Sequence, residues 1–524
     1  MSDQGIRPAE PDPMRWWALV VIALAQLMVV LDMTIVNIAL PSAQRELGMS
    51  DNNRQWVITA YTLAFGGLLL LGGRITDLAG RKRTFIIGLI GFAAASALGG
   101  AATGEGMLYA ARALQGVFAA LLAPAALSLL TTTFTDPKER SKAFGIYGAI
   151  AGGGSAIGLI AGGVLTEYLD WRWCLYVNIP IAIIAALGAV RLLHDSPGRP
   201  GARLDVPGVL LGCGGLLAIV FGFSEAEPRG WDDGLVLGML IGGVVLLALF
   251  TYWMTKARHP LLPLHIVKDR QRAGAFLAMG LTTIGMFGVF LFLTYYFQGV
   301  LGYSPLKTGF SYLPMTAMII IGSTQVSARL LDKLPPRALM VPGLLLAAIG
   351  LMLLTRIGVD TGYASHVLPA IMILGLGMGC VFMPVFATAT AGVAPHDSGV
   401  TSATLNSAQQ VGGSVGTALL NTIATSATTA YAKDHAVPGM SPGQQRALGL
   451  KSTVEGFHTA TWWAAGALLL AAIAAAVLVN GGPVHGSGPA VSDAAADAEA
   501  DPVAEAAADA AADRAKFRSG SESD

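Results

Sequence analysis

Fourteen apolar runs, each long enough to cross a lipid bilayer as a helix, divide most of this 524-residue chain. A helix rises about 1.5 Å per residue, so about 20 apolar residues span the ~30 Å hydrocarbon core. The two least hydrophobic runs, 143–166 and 402–425, are rich in glycine and other small residues, which suit close helix packing. The runs lie near 16–40, 55–73, 84–103, 107–130, 143–166, 173–193, 206–224, 234–255, 273–297, 308–328, 338–356, 366–388, 402–425 and 459–480. We therefore predict an all-α polytopic membrane protein.

The composition excludes several classes of protein. Hydrophobic residues make up 54% of the chain and charged residues only 13%, whereas a soluble domain carries about 25% charged residues. Basic and acidic residues balance at 33 each, which gives no bulk signal for nucleic acid. The cysteines Cys174, Cys213 and Cys380 lie far apart in apolar runs, without metal-binding spacing or a disulfide framework. The sequence therefore predicts no nucleic-acid partner, no metal site and no bound cofactor.

Basic residues in the predicted loops indicate the orientation of the chain. If the N-terminus is inside, the inner loops carry about twice as many Lys and Arg residues as the outer loops, as the positive-inside rule requires. We therefore expect a multi-pass protein of the cytoplasmic membrane with both termini in the cytoplasm. Residues 1–14 would form the inner N-terminal segment, residues 426–458 an outer loop, and residues 483–524 a disordered, acidic, alanine-rich tail.

One short pattern occurs twice in the chain. GGRITDLAGRKR follows the second predicted span, and SARLLDKLPPRAL follows the tenth. Both place an arginine three residues before an aspartate, with further basic residues after it: Arg74, Asp77 and Arg81, then Arg329, Asp332 and Arg337. This recurrence indicates an N-terminal six-helix bundle at 15–195 and a C-terminal one at 272–482, with two inserted spans at 196–271. Internal repeats of this kind build many secondary transporters, with the substrate site near the midplane between them.

An acidic residue lies inside the first apolar run, in the stretch LDMTIVNIALP at 31–41. An ionised carboxylate at this depth costs about 2.5–3.5 kcal/mol on insertion scales, so Asp32 needs a partner, a proton or a water-filled cavity. A functional role is the default expectation for such a residue. Two structural explanations stay open: a signal peptide cleaved near Ser42, and an aspartate close enough to the helix end to reach headgroup water.

The loop after the second span resembles the inner-loop signature of the major facilitator superfamily. Gly73, Asp77, Gly80, Arg81 and Lys82 stand at the matching positions. In that superfamily the loop latches the two halves of the transporter in the outward-facing state, and the resemblance implies the same gating role in this chain. The alternative is that the cations only hold a short loop inside the cell.

Two further motifs resemble those of the fourteen-helix drug:proton antiporter branch of the superfamily. LDMTIVNIALP is similar to its first-helix signature, whose aspartate, at the position of Asp32, takes part in proton coupling; Thr34, Asn37 and Pro41 also match. RALQG at 112–116 is similar to the fourth-helix signature whose arginine, at the position of Arg112, is implicated in proton transfer. Both residues lie in the predicted outer half of their helices, so a pair between Asp32 and Arg112 is geometrically possible. The alternative for Arg112 is snorkelling to the outer interface.

The fifth span contains a glycine pattern, GIYGAIAGGGSAIGLIAGG. It resembles the antiporter signature of that helix at Gly145, Gly154, Gly158, Gly162 and Gly163. Leu159 stands where the signature has a proline, so the resemblance implies glycine packing between the halves but not the local bend. A glycine-rich packing face of any helix pair would look similar.

The next stretch, WRWCLYVNIP at 171–180, also resembles this branch, and we expect Trp171 and Trp173 to be aromatic anchors at the outer interface.

The resemblance covers residues 15 to about 480 and implies a major facilitator fold. In the fourteen-helix branch, this fold consists of two six-helix bundles plus two extra central helices. It implies a monomeric antiporter in membrane lipid that exports lipophilic drugs or antibiotics by alternating access, with protons as the coupling ion. We expect the substrate cavity to be lined by Asn37, Gln115, Tyr295, Tyr296, Gln298, Gln325, Asn406, Gln409 and Gln410. Each of these side chains could instead bond a neighbouring helix.

Other functions stay open at this point. The high Ala and Gly content, with Arg outnumbering Lys, is typical of a high-GC genome and makes a dedicated exporter of one endogenous secondary metabolite an alternative. A proton-coupled uptake symporter would share the inner-loop signature but usually lacks the glycine pattern. The histidines fall in predicted loops and helix ends without ligand spacing, and no GxxxxGK[ST] loop is present. We therefore do not expect an enzyme or an ATP-driven pump.

Overall fold

The computed structural model describes residues 13–50, 53, 56–194, 204–258 and 260–479. The predicted acidic tail at 483–524, most of the predicted N-terminal segment at 1–14 and the linker at 195–203 lie outside these residues. Within the described part, all regular secondary structure is helical.

The helices follow one another with short connections. The α-helices are α1 (Arg15–Leu47), α2 (Trp56–Ala79), α3 (Arg81–Gly100), α4 (Glu105–Thr133), α5 (Pro137–Tyr168), α6 (Trp173–Tyr176), α7 (Asn178–Leu192), α8 (Val206–Arg229), α9 (Gly234–Met254), α10 (Leu264–Lys268), α11 (Arg270–Tyr295), α12 (Pro305–Ser311), α13 (Leu313–Ile321), α14 (Ala328–Leu330), α15 (Arg337–Leu354), α16 (Leu368–Thr390), α17 (Ser398–His435) and α18 (Pro442–Leu478). Three π-helical turns lie at Tyr296–Val300, Gly322–Ser327 and Tyr363–Val367, and a 3₁₀ turn lies at Pro395–Asp397.

Twelve helices in the described residues are long and apolar enough to cross a membrane. The predicted spans near 308–328 and 402–425 are not among the twelve. The first falls in 305–330, where α12, α13, a π-helical turn and α14 divide the segment into short pieces. The second falls in α17, which is long but rich in Ser, Thr and Gly. The described part of the chain is therefore all-helical, with twelve clear candidate spans.

Local chemistry fixes where several helices begin and end. Asp136 accepts hydrogen bonds from the backbone N–H groups of Lys138 and Glu139 at the start of α5, and Asp233 caps α9 in the same way. These side chains satisfy donors of the first helical turn that have no partner inside the helix. Gly80 alone separates α2 from α3, with a φ of 95° that favours glycine. The chain can therefore reverse direction within one or a few residues.

The helices form two groups that each pack mainly within themselves. In the N-terminal half, α1–α7, α4 packs against α2 and α3, and α1 packs against α5. In the C-terminal half, α11–α18, α17 packs against α11 and α18, and α15 packs against α16. The α8–α9 hairpin lies against α2 and α17. The halves meet where α5 contacts α13 and α16, and where α2 contacts α17, so these helices form the interface between them.

The segment 426–458, predicted as an outer loop, is mostly helical. α17 continues to His435 and α18 begins at Pro442, so residues 436–441 alone join the two helices. The many alanines of this segment favour helix, and Ser441 and Gln444 form a capping box that starts α18. A Cβ atom on Gly456 would lie 2.5 Å from the carbonyl oxygen of Ala424, so the two helices approach closely. Most of 426–458 is therefore a helical hairpin.

Gly456→Ala should destabilise the protein. The new methyl group would meet the backbone of α17 at 2.5 Å, and overpacking of this kind costs about 1–3 kcal/mol. Gly449→Ala, on the same helix, is the matched control because its Cβ position has no atom within 4 Å and alanine favours helix more than glycine does. Thermal unfolding of the detergent-solubilised chain measures both variants. A melting temperature of Gly456→Ala equal to that of Gly449→Ala would contradict the close approach of α17 and α18.

Candidate functional site

Asp32 on α1 is completely buried inside the N-terminal half, with 0% of its surface exposed. Its Oδ2 atom accepts a hydrogen bond from Arg112 Nη1 on α4 at 2.6 Å. Its Oδ1 atom accepts two more, from Gln115 Nε2 on α4 at 3.0 Å and from Asn178 Nδ2 on α7 at 2.8 Å. The structure therefore gives the carboxylate a charged partner and two amide donors in place of water.

Ser96 on α3 completes this arrangement. Its hydroxyl oxygen lies 2.7 Å from Gln115 Nε2 and 3.4 Å from Asn178 Nδ2, and accepts from both. The five side chains, which we call the Asp32 network, are Asp32, Ser96, Arg112, Gln115 and Asn178. They tie α1, α3, α4 and α7 together around one carboxylate.

Arg112 is also buried, with 2% of its side chain exposed, so it does not snorkel to an interface. Its Nε atom donates to the backbone oxygen of Val57 at 3.1 Å, and Nη1 also donates to Gln115 Oε1 at 2.8 Å. The guanidinium carbon lies 4.4 Å from the centre of the Tyr61 ring. A buried cation is costly unless it is paired and hydrogen-bonded, and the carboxylate, the carbonyl and the aromatic face supply that compensation.

Two polar atoms beside this network have no hydrogen-bond partner within the described part of the chain. They are Asn178 Oδ1 and the Tyr61 hydroxyl, both buried. Buried polar atoms in native proteins are nearly always bonded to protein or ordered water. These two atoms therefore offer an acceptor and a hydroxyl to a water molecule or a polar ligand next to the ion pair.

Three residues at this site were not predicted from the sequence: Ser96, Tyr61 and Asn178. Ser96 and Tyr61 are single residues of ordinary polarity in apolar spans, and no motif marks them. Asn178 lies in the stretch WRWCLYVNIP, which the sequence associated only with interface anchoring. A signal was available, because an amide at the start of an apolar span needs a hydrogen-bond partner when it is buried. The same pattern could not identify Asp32 as that partner.

Protonation of Asp32 would change the charge balance of this network. A proton on Asp32 would remove the negative charge that faces Arg112 and leave the buried guanidinium with neutral acceptors. Hydrogen bonds between charged groups are about twice as strong as neutral ones, so the attachment of α4 to α1 would weaken. The arrangement can therefore convert the gain or loss of one proton into a change in helix packing.

The predicted inner loop forms a second polar site, between the two halves. Asp77 accepts hydrogen bonds from the backbone N–H groups of Gly399 at 2.8 Å and Val400 at 3.0 Å, at the start of α17. A carboxylate is favourable at a helix N-terminus because the first N–H groups are unpaired and the dipole is positive there. Gly73 allows this approach, since a Cβ atom there would lie 2.6 Å from the carbonyl oxygen of Gly399.

Other side chains join the halves at the same end. Arg81 donates to the Ser398 hydroxyl at 3.2 Å and to the carbonyl of Pro395, and Ser128 Oγ lies 2.5 Å from Ser398 Oγ. Lys82 is not part of this contact, because its Nζ atom donates to Val190 within the N-terminal half at 2.8 Å. We call the contacts of Gly73, Asp77, Arg81 and Ser128 with residues 395–403 the gate.

The second copy of the repeated pattern differs from the first. Asp332 accepts a hydrogen bond from the Ser141 hydroxyl at 2.7 Å rather than from a helix N-terminus. Nearby, Arg140 donates to the backbone oxygen of Thr390 at 3.0 Å. These contacts also join the halves, so the two copies reinforce the same end of the molecule by different chemistry.

The glycines of α5 serve two interfaces. Three pack against α1: Gly154, Gly158 and Gly162. Two pack against the C-terminal half: Gly145 and Gly163. A Cβ atom on Gly158 would lie 1.9 Å from the Thr34 hydroxyl oxygen, and the Gly145 carbonyl accepts a hydrogen bond from Ser323 at 2.7 Å. α5 therefore lies between the helix that carries Asp32 and the opposite half.

The predicted cavity-lining residues differ in burial. The exposed ones are Asn37, Tyr295, Gln298 and Gln325, Gln409 is half-buried, and the buried ones are Gln115, Tyr296, Asn406 and Gln410. Gln115 belongs to the Asp32 network, whereas Asn37 and Asn406 donate to backbone oxygens of their own helices, those of Met33 and Ser402. A common substrate cavity for these residues stays a prediction.

Trp171 is not the exposed anchor that the sequence predicted. Its side chain is 4% exposed, and Nε1 donates to Glu46 Oε2 at 2.6 Å. Trp173, by contrast, is 48% exposed. A buried indole usually finds a partner for its N–H group, and Glu46 is available because α1 continues past Pro41 to Leu47.

Comparisons with known proteins agree with this architecture. A sequence profile of the Major Facilitator Superfamily matches residues 22–417. The puromycin resistance protein of Streptomyces alboniger is 58% identical over 472 residues, which cover 90% of this chain and 92% of that protein. The cephamycin export protein of Amycolatopsis lactamdurans is 38% identical over 417 residues, 79% of this chain and 85% of that protein. The structure of a human organic anion transporter aligns with a TM-score of 0.59 and 15% identity over 88% of this chain and 100% of that chain, a likeness of fold alone.

Asp32→Ala should destabilise the protein strongly. It leaves Arg112 buried without its carboxylate, and breaking a buried ion pair in this way costs about 3–5 kcal/mol. Asp32→Leu combined with Arg112→Met should recover much of the loss, because it removes both charges and fills their space. Thermal unfolding in detergent compares the two variants with the wild type. A single variant as stable as the wild type would show that the pair is not a buried structural element.

Proposed function

The chain belongs to the Major Facilitator Superfamily, and we propose that it is a proton-driven exporter of antibiotics or other lipophilic drugs. It works by alternating access in the cytoplasmic membrane. The single observation that carries the proposal is the burial of Asp32, with its ion pair to Arg112, inside the N-terminal half. An ionisable residue within membrane-spanning helices is by default part of an ion or proton pathway.

The proposed cycle alternates the partners of Asp32. With the carboxylate ionised, Arg112 binds it and holds α4 against α1. A proton taken up from the outside neutralises Asp32, releases Arg112 and favours the conformation that is open to the cytoplasm. Loss of the proton inward restores the pair. Coupling follows because each conformation favours one protonation state, which is the requirement for a ligand to shift a conformational equilibrium.

The proton gradient supplies enough energy for export. A proton that enters down a 100 mV potential releases about 2.3 kcal/mol when the exported molecule is neutral. This energy corresponds to about a fifty-fold concentration ratio, since about 1.36 kcal/mol is a factor of ten. One acidic residue that binds one proton per cycle is therefore sufficient for substantial drug accumulation outside.

The gate contacts support an outward-facing state. The loops of this end carry the excess of basic residues that predicts the cytoplasmic side. The hydrogen bonds of Asp77 and Arg81 to the start of α17 would then close the cytoplasmic side. In the proposed cycle these bonds break when the protein opens inward.

The proposed topology has fourteen spans, with both termini in the cytoplasm. The segment 305–330 and α17 would be the two spans beyond the twelve clear candidates. α17 packs against α2, α11 and α18, so much of its surface contacts protein rather than lipid and low hydropathy is compatible with a span. The working unit would be a monomer in lipid, with the proton as the only coupling ion.

The two named bacterial relatives favour an antibiotic as the substrate. One is named for resistance to puromycin and the other for export of cephamycin. The 58% identity with the first, over most of both chains, makes puromycin the first substrate to test. Relatives named for single antibiotics support a dedicated exporter of one such compound over a broad multidrug pump. The alternative of an uptake symporter predicts puromycin movement in the opposite direction in inverted vesicles.

Asp32→Asn should abolish uncoupler-sensitive accumulation of puromycin in inverted vesicles. Asparagine keeps the size of the side chain but cannot exchange a proton, so binding and gradient-free exchange of puromycin should persist. Asp360→Asn, the same change at an exposed residue far along the chain, is the control and should transport normally. Full uncoupler-sensitive accumulation by Asp32→Asn would disprove the role proposed for this carboxylate.

A disulfide across the gate should stop transport reversibly. Ser128 Oγ and Ser398 Oγ are 2.5 Å apart, so the pair Ser128→Cys and Ser398→Cys can form a bond between the halves. The native cysteines Cys174, Cys213 and Cys380 are buried and are replaced by alanine for this test. Oxidation should abolish puromycin transport, and reduction should restore it. Each single variant under the same oxidant is the control, and undiminished transport by the cross-linked protein would exclude opening at the gate.

A further inference from the structure

We infer that α17 has two alternative capping residues, Asp77 when the gate is closed and Asp397 when it is open. This inference rests on the proposed opening of the gate, and it concerns the first turn of α17 after Asp77 has left it. Asp397 directly precedes that helix, and aspartate is one of the residues preferred at this position. In the closed gate, however, its side chain makes no capping hydrogen bond.

Asp397 occupies the position from which a side chain normally caps a helix. α17 begins at the next residue, Ser398, so the N–H groups within reach of Asp397 are those of Gly399 and Val400. Asp77 of the N-terminal half accepts from the same two N–H groups, at 2.8 Å and 3.0 Å. Two carboxylates, one from each half of the molecule, are therefore alternative acceptors for one pair of donors.

The backbone conformation of Asp397 explains why it does not cap α17 in the closed gate. Its ψ angle is 3°, because Pro395–Asp397 forms a 3₁₀ turn that runs directly into the helix. Side chains that do cap helices in this chain belong to extended residues, with ψ angles of 129° at Asp136, 131° at Asp233 and 157° at Ser441. A change in the backbone at Asp397 would therefore convert it into a capping residue.

Two sets of contacts hold Asp397 in its present conformation. Its side chain is only 4% exposed, and its Oδ2 atom lies 3.2 Å from His265 Nε2 and 3.4 Å from His396 Nε2. An imidazole N–H group can donate to a carboxylate at this distance. Arg81 of the N-terminal half donates to the carbonyl of Pro395, the first residue of the 3₁₀ turn. The contact with Arg81 would be lost when the gate opens.

Opening of the gate would therefore remove a competitor and a restraint together. Gly399 and Val400 would lose Asp77 as their acceptor, and the 3₁₀ turn would lose its bond to Arg81. The charge of Asp77 also repels that of Asp397 in the closed gate, so its departure favours the approach of Asp397 to the helix. Water can hydrate the free N–H groups, but a side-chain cap stabilises a helix start further. Asp397 is thus a positioning residue that stabilises the open gate.

The experiment removes Asp77 and tests what replaces it. Backbone hydrogen exchange is measured by mass spectrometry on the purified full-length chain, in peptides that contain Gly399 and Val400. Asp77→Ala is compared with the same variant after a second change, either Asp397→Ala or Asp397→Asn. Both second changes remove the same negative charge, so asparagine is the matched control. Asparagine caps helices about as well as aspartate, whereas alanine does not.

Adding Asp397→Ala to Asp77→Ala should accelerate exchange at Gly399 and Val400 about fivefold, the factor that corresponds to loss of a typical helix cap. Adding Asp397→Asn should leave the rate close to that of Asp77→Ala alone. Equal rates in the two double variants would show that water rather than residue 397 replaces Asp77, and would overturn the inference.

A second measurement keeps Asp77 and so does not depend on the folding of its variant. Spin labels on Lys138→Cys and Lys333→Cys, at exposed positions of the two halves near the Ser141–Asp332 contact, report the fraction of open gates at acidic pH. The native cysteines are replaced by alanine. Asp397→Ala should show an open fraction about fivefold lower than Asp397→Asn, because the cap is used in the open state alone.

Equal open fractions in these two variants would also overturn the inference. If the gate stays closed in every variant, the exchange rates decide alone. Failure of the proposed function looks different from failure of the inference. The exchange rates would then follow the expected order, yet the wild type would not couple puromycin movement to protons.

Discussion

A charged pair can be buried in a helical bundle only if the surrounding side chains and backbone supply its hydrogen-bond partners. This requirement determines how the helices of the N-terminal half pack around Asp32 and Arg112. Removal of two charges from water costs several kcal/mol per ion, and Asp32 recovers that cost through three hydrogen bonds. The donors come from α4 and α7, and Ser96 on α3 positions two of them. The relative registers of α1, α3, α4 and α7 are therefore fixed by one carboxylate.

The gate also compensates a carboxylate that is removed from water, but its hydrogen bonds can be exchanged for bonds to water. Asp77 also compensates its charge with nearby donors, but these are backbone N–H groups at the start of α17 in the other half. Water can satisfy both partners when the halves separate, because a helix N-terminus and a carboxylate at the end of the bundle are each readily hydrated. Water cannot replace the hydrogen bonds of the Asp32 network while that network is buried. In the proposed cycle, this difference would let the gate open mechanically while the Asp32 network responds to a proton.

The sequence predicted the class of fold and the principal charged residues because these depend on local patterns. Long apolar runs, the GGRITDLAGRKR loop and the position of Asp32 in LDMTIVNIALP are all visible without coordinates. The rest of the Asp32 network was harder to predict. Asn178 reaches Asp32, and Ser96 reaches Gln115 and Asn178, only through the packing of α3 and α7. The hairpin at 426–458 was missed for a different reason. Hydropathy measures preference for lipid, whereas helix continuation there depends on alanine propensity and a capping box.

α2 connects the two polar sites physically. Near its start, Val57 accepts a hydrogen bond from Arg112 and Tyr61 lies against the guanidinium; near its end, Asp77 binds the start of α17. Val57 and Asp77 are twenty positions apart in one continuous helix, a distance of about 30 Å. Energetic coupling between distant sites requires a structural element whose conformational equilibrium is shifted by both sites. In the proposed cycle, a change in Arg112 after protonation of Asp32 would act on one end of this helix, and the other end forms the gate. α2 would then carry the coupling without any further intermediary.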